Sequence, residues 1–462
     1  MARRAVGARS RGWLIFSLFV FMLMAIPKTN IQLGPIPLYL IDLVIIACLF
    51  VAAKQPRQAH APIPFRGLVI TLLIFALLGE VASILYGGRM ADAIYIMLRT
   101  SLAFSVFFIV YRMVGAVADI EMMLKAATAG VLITASLMIM SSLPFTRSVA
   151  NSFFAISFLE PASRSVAAAY AEYGEVGVRG RTLVGVSILG ATFINIGWPL
   201  AALLWQWPGL GMLWRRLAMA ACFLAPMAVL MSYSRGPILG TMLIVLATLV
   251  LGLRQVRAGI VQPVLVAACL VAAVGVGSQL FFFDRLVNRT QAMFEDPMSD
   301  ERESERLFAY IEPFEHLARH PQFLISGQGV SLSRSGVVTE EAGKATHAVF
   351  AKAYYTRGML AALLHVVVVV LAGLYAWRNL FRALSGPGRA LAQAVFLSTV
   401  AILPWFAFGH AMISAPRGTM VFFFTLGLLA ALSRFAVRAT VSAPAPDPTY
   451  KVADVQSRHT AV

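Results

Sequence analysis

Gly358-Met-Leu-Ala-Ala-Leu-Leu-His-Val-Val-Val-Val-Val-Leu-Ala-Gly-Leu-Tyr-Ala376 runs for 19 residues without a Lys, Arg, Asp or Glu. A bilayer core of about 30 Å needs roughly 20 apolar residues of α-helix, so this stretch reads as a membrane span. The rest of the chain agrees. Of 462 residues, 59% are hydrophobic and 13% charged, and the mean hydropathy is +0.79, far from the roughly 25% charged residues of soluble domains. A soluble multidomain enzyme is excluded. Disorder is excluded by the 31 Phe and 20 Met, the reverse of a composition unable to bury itself.

Working outward from this run, the same reading predicts twelve spans, at about 13–27, 37–53, 67–86, 93–111, 126–143, 186–205, 216–232, 237–253, 260–282, 358–376, 390–409 and 418–434. Arg3, Arg4, Arg9 and Arg11 precede the first. They resemble a signal-peptide n-region, but no small-residue cleavage site follows Ile26-Pro27, so an uncleaved helix is expected. With the N-terminus inside, the remaining cytoplasmic segments carry Lys54/Arg57/Arg66, Arg112/Lys125, Arg215/Arg216, Arg254/Arg257, Arg378/Arg382/Arg389 and Arg434/Arg438. Lys or Arg in every one supports the orientation, with both termini cytoplasmic. The predicted organisation is a basic N-terminus (1–12), helices one to nine (13–282), a large, partly helical periplasmic loop (283–357), helices ten to twelve (358–434) and a disordered Pro-rich tail (435–462).

The net charge of +17 would suggest nucleic acid in a soluble protein; here orientation uses many of the cations, and nucleic acid is not an expected partner. Roughly half of the basic residues remain for the outer face or the membrane, more than orientation needs. That face has two long segments, about 144–185 and 283–357, and loops of this length are usually functional. Cys48, Cys222 and Cys269 lie in apolar runs without CxxC or nearby His, so neither a disulfide framework nor a zinc site is predicted.

Four arginines fall at the outer boundary: Arg179 and Arg181 in Val178-Arg-Gly-Arg-Thr-Leu-Val-Gly185, Arg235 in Ser232-Tyr-Ser-Arg-Gly-Pro237, and Arg417 in Ala415-Pro-Arg-Gly418. Guanidinium binds phosphate oxygens bidentately and stays charged when partly desolvated, so a ring of them suits an anionic head group. A lone boundary Arg needs no ligand, because its stem lets the charge reach water. Arg235 stands out for its short Ser-Arg-Gly-Pro mount. In the second loop, apolar residues at 307, 308, 311, 314 and 317 predict a surface-lying helix ended by Pro321, and Gly327-Gln-Gly329 predicts a turn.

Beyond that turn, His347 precedes the tenth span. Imidazole titrates near neutrality and can take a proton from a sugar hydroxyl. His316, His320, His365 and His410 are rivals by type; the first two fit the helix pattern, His365 lies in an apolar run, and His410 is at the outer boundary. No GxxxxGK[ST], GxSxG or HExxH is present. Asp42 and Glu80 are intramembrane acids suited to ion coupling or to pairing with Arg99.

Taken in order, these residues resemble the O-antigen ligase and O-antigen polymerase superfamily of bacterial envelope proteins. The resemblance rests on Gln32-Leu-Gly-Pro-Ile-Pro-Leu-Tyr-Leu-Ile-Asp-Leu43, Arg181-Thr-Leu-Val-Gly185, Ser232-Tyr-Ser-Arg-Gly236, and the stretch from Arg306 through His320-Pro-Gln-Phe-Leu-Ile-Ser-Gly-Gln-Gly329 to His347 and Gly358. In the ligases the last element is His, then Asn, Ser or Gln, nine residues, Gly, two residues, and Gly, Thr or Tyr. His347 and the motif glycine Gly358 keep this spacing, while Ala348 and Ala361 depart from it.

The resemblance implies a GT-C-like all-α fold and a metal-independent, cofactor-free inverting transfer of a glycan from undecaprenyl pyrophosphate to an acceptor hydroxyl, on a growing glycan or on lipid A-core. It implies that Arg181 and Arg235 hold the pyrophosphate, with Arg179, Arg306 and Arg417 as further candidates. His347 would be the general base or orient the acceptor. Ligase and polymerase stay open: Arg179 and Gly190 fit an Arg-x10-Gly pattern of some polymerases, which this composition also produces by chance. A transporter or flippase using Asp42, Glu80 and Arg99 is the alternative from another class, and a scaffold in polysaccharide export is a third.

Overall fold

In this computed structural model the described residues are 2–25, 30–33, 36–55, 62–143, 146, 148–150, 187–232, 234–277, 315, 318–334, 349–382, 386–408 and 416–441. The chain is a helical membrane protein. Its elements are α1 (Ala2–Ala25), β1 (Asn30–Leu33), β2 (Ile36–Tyr39), α2 (Leu40–Lys54), α3 (Arg66–Leu85), α4 (Met90–Met113), α5 (Val117–Ser142), α6 (Ser187–Trp205), α7 (Met212–Met231), α8 (Arg235–Val250), α9 (Arg254–Gly277), a 3₁₀ turn (Pro321–Phe323), α10 (Gly329–Arg334), α11 (Val349–Phe381), α12 (Gly386–Phe408) and α13 (Pro416–Val441). Each of the twelve predicted runs overlaps one of these helices. Among the described residues, eight helices are long and apolar enough to cross a membrane, and Gly12–Ala25 and Gly236–Val250 are shorter apolar helices.

Helix is dictated by the solvent, since backbone amides in hydrocarbon must pair within their own segment. Hydroxyls obey the same rule by bonding back one turn: Thr192, Thr248 and Thr425 donate to Ile188, Ile244 and Val421 carbonyls at 2.7–3.0 Å. Helices then pack through small residues. Gly130 of α5 lies on Met24 of α1, Gly259 of α9 on Ala202 and Cys222, and Gly427 of α13 on Phe107 and Val110 of α4. Within the bundle α6 touches α5, α7, α8, α9 and α12, whereas α13 runs along α4. Trp198 in α6 satisfies its indole by donating to the Gly259 carbonyl at 2.9 Å.

Several boundaries differ from the sequence reading. β1 and β2 pair antiparallel from Asn30↔Tyr39 to Leu33↔Ile36, a hairpin that delays the second helix to Leu40. α5 starts at Val117, well before the apolar run, because Asp119 Oδ2 accepts the Ala116 and Gly115 amides at 2.7 and 3.3 Å and caps a polar first turn. α11 starts at Val349, inside the segment expected as loop, and α13 continues to Val441. Cys48 and Cys222 are core residues, whereas Cys269 is exposed on α9. The α1–α2 hairpin, the α3–α4 turn and the start of α13 share one end of the bundle, called the hairpin end below.

Candidate functional site at the bend of α11

The α7–α8 turn presents Arg235. Ser232 follows the last residue of α7 and donates to the Val229 carbonyl at 2.6 Å, and Ser234 donates its hydroxyl to the Ser232 carbonyl at 3.1 Å. Ser234, with extended backbone, precedes α8, so Arg235 is its first residue. From α6, buried Asn195 donates to the Pro237 carbonyl at 2.6 Å and accepts from Thr241 at 2.9 Å. The start of α8 carries the positive end of the helix dipole, and Arg235 is its first residue.

The second half of the site is a break in α11. Gly358 has φ 82° and ψ 172°, a region that in practice only glycine occupies. The returning arm of the long loop supplies partners to the backbone on both sides of the break. Met359 N–H donates to the Leu324 carbonyl at 2.9 Å, and the Tyr355 carbonyl accepts from Gln328 N–H at 3.1 Å. The fit is backbone on backbone: a Cβ at Gly358 would strike the Ile325 carbonyl, and one at Gly79 of α3 would meet the Thr356 and Ser326 carbonyl oxygens at 2.6 and 2.9 Å. The predicted turn at Gly327-Gln-Gly329 is present, with positive φ at both glycines.

Glu80 of α3 holds the arm. Its carboxylate accepts Val330 N–H at 2.7 Å, Ser331 N–H at 3.3 Å and the Ser331 hydroxyl at 2.7 Å. Because the Ser331 proton is committed to Glu80, Ser83 is the donor in its 2.6 Å bond with Ser331. Phe323 of the arm packs edge-on against Tyr86 at 4.7 Å. Behind the bend, Arg357 and His365 are buried. His365 Nδ1 lies 2.6 Å from the Ala361 carbonyl and Nε2 lies 3.3 Å from Arg357. A carbonyl accepts and a guanidinium donates, so the imidazole is the neutral Nδ1–H tautomer. Glu80 is the counter-charge acting on Arg357.

A separate cluster surrounds Asp42. Arg99 Nε lies 3.5 Å from Asp42 Oδ2, its guanidinium sits 4.0 Å from the Tyr39 ring centre, and it donates to Tyr95 at 3.1 Å. Arg417 is buried, donates to the Met22 carbonyl at 2.9 Å and acts electrostatically on Asp42. Of the sequence-predicted residues, Gly358 is at the bend, the Arg235 backbone opens α8, and Arg417 lies among α1, α2 and α13. Arg179, Arg181, Arg306 and His347 lie outside the described residues, as does His410. Among the described residues no three His, Cys, Asp or Glu side chains gather as metal ligands. Asn195, Arg357 and the clamping role of Glu80 escaped the sequence reading. The one hint was that Glu80 and Arg357 have opposite charge at similar expected depth.

Residues 220–364 match a family model described as O-antigen ligase. The chain carries an O-antigen ligase domain. The matched segment of this domain runs from α7 through the Arg235 mount and the long loop to the bend at Gly358 and the first turns beyond it. No curated protein matches the chain. This match supports the resemblance to the O-antigen ligase and polymerase superfamily read from the motifs.

Proposed function

We propose that the protein is an inverting glycosyltransferase of the inner membrane, a twelve-span, GT-C-like helical protein whose hairpin end faces the periplasm and whose termini are cytoplasmic. It moves a glycan from undecaprenyl pyrophosphate to an acceptor hydroxyl without a metal, as an O-antigen ligase or an O-antigen or exopolysaccharide polymerase. The acceptor oxygen attacks the anomeric carbon as the bond to the pyrophosphate oxygen breaks. The hydroxyl proton passes to His347, and undecaprenyl pyrophosphate leaves with the bonding electrons. Arg179, Arg181, Arg235 and Arg306 stabilise the negative charge developing on the leaving group. Arg417, engaged with Met22, supplies positive field from behind rather than a direct contact.

One observation carries the reading: the matched O-antigen ligase segment contains both Arg235 and His347 and encloses the bend at Gly358. The transporter alternative is weakened because Glu80 already accepts three hydrogen bonds from the arm and Asp42 faces Arg99. The test is a gel of surface and lipid-linked glycans from a deletion strain complemented with wild type, His347→Ala or Arg235→Ala. Loss of long chains with single repeats retained identifies a polymerase; long chains stranded on the lipid carrier with uncapped acceptor identify a ligase. Unchanged glycans in both variants would overturn the proposal.

A further inference from the structure

The bend of α11 contains a buried polar chain that the proposed chemistry does not use. Arg357 and His365 are 5% and 3% exposed inside a membrane helix, where ionisable groups are costly and are retained for function. They lie on the two sides of Gly358. Arg357 ends the half-helix that starts at Val349; His365 sits two turns into the spanning half and accepts from Arg357. Glu80 of α3 places a negative charge in the field of the same guanidinium and, through Ser331 and Val330, holds the arm that fills the break. With Met359 N–H donating to the Leu324 carbonyl and the Tyr355 carbonyl accepting from Gln328 N–H, the angle between the halves is set by these side chains and by the arm. His347 precedes the half-helix by two residues.

We infer that Arg357, hydrogen-bonded to His365 across the bend, is a positioning residue that sets the direction of the half-helix 349–357 and through it places His347 for proton transfer. This rests on the proposed role of His347. A displacement of about 1 Å at a reacting group can reduce a rate ~100-fold, so a loosened bend acts on kcat and leaves donor binding intact.

The test uses the full-length protein with a lipid-linked glycan donor. His365→Leu removes the acceptor for Arg357; His365→Gln keeps one. The expected result is a kcat about 10- to 100-fold lower for His365→Leu at unchanged donor KM, with His365→Gln within about threefold of wild type. In a His347→Ala background, His365→Leu should cause no further loss, because residues acting as a unit are non-additive. An activity-independent readout is the spin-label distance between Phe350→Cys and Leu85→Cys, with Cys269 replaced by Ser. It should shift or broaden in His365→Leu and in Glu80→Gln, and return in His365→Gln. A wild-type kcat in His365→Leu, a loss that multiplies with His347→Ala, or an unmoved distance overturns the inference. Full activity of His347→Ala alone instead overturns the role of His347, while the distance data still test whether the clamp sets the bend.

Discussion

Arginines at the two ends of the bundle are used in opposite ways. At the end away from the hairpin, Arg434 donates to the Tyr111, Arg112 and Val114 carbonyls at 2.7, 3.3 and 3.4 Å, and Arg112 donates to those of Ala52 and Gln55 at 3.1 and 3.5 Å. These carbonyls lie where α4 and α2 finish, and cations there complement the helix dipole. Their role is to end helices. At the hairpin end, Arg357 sits inside a broken helix and meets an imidazole and the field of a carboxylate, while Arg235 opens a helix whose amides already favour anions. Position at the membrane boundary does not separate the two uses; what the guanidinium already holds does.

The largest expected effect is at the bend. Gly358→Ala forces a Cβ into the Ile325 carbonyl at a backbone conformation closed to alanine, and should cost roughly 3 kcal/mol or more. Thermal unfolding in detergent and glycan transfer should both collapse. Gly373→Ala, in open space on the same helix, should leave both unchanged and so serves as the control. Next comes Glu80→Ala, which strips the arm of three hydrogen bonds; a loss of about 2–3 kcal/mol is expected from the amides left buried. Hydrogen exchange at Val330 and Ser331 should accelerate more than at α3.

Asn195→Ala should cost roughly 1–2 kcal/mol by removing its bonds to the Pro237 carbonyl and the Thr241 hydroxyl, and should reduce transfer because α8 mounts Arg235. Arg434→Ala should cost about 1 kcal/mol with transfer near wild type once expression is matched. Abolished transfer in a stable Arg434→Ala protein would break the contrast between the ends. The smallest effect belongs to Lys125→Ala, whose partner Glu121 lies 2.6 Å away on the same helix; a few tenths of a kcal/mol are expected for such a pair.

Much of the fold was readable because the membrane imposes one rule along the chain: a long apolar run must be a helix. The departures have local causes. The run ending at Ile139-Met140 hid the polar first turn of α5, where Asp119 is its own cap. The hairpin before α2 was masked by the apolarity of Ile36-Pro-Leu-Tyr39, since hydropathy cannot tell a strand from the start of a span. Of the site, Gly358 and the Gly327-Gln-Gly329 turn were legible because glycine marks backbone that other residues cannot adopt. Glu80 was visible as an intramembrane acid, but its partners, Val330 and Ser331, are about 250 residues away in the chain.

The sequence alone determined that the chain is a helical membrane protein and roughly where its long helices lie. Each follows from composition or spacing within one segment. Only the tertiary structure decided how the break in α11 is closed, that Arg417 is buried against α1, and that His365 is a neutral acceptor for Arg357. These depend on contacts between distant segments, and a buried polar group takes whichever partner the packed backbone brings within about 3 Å.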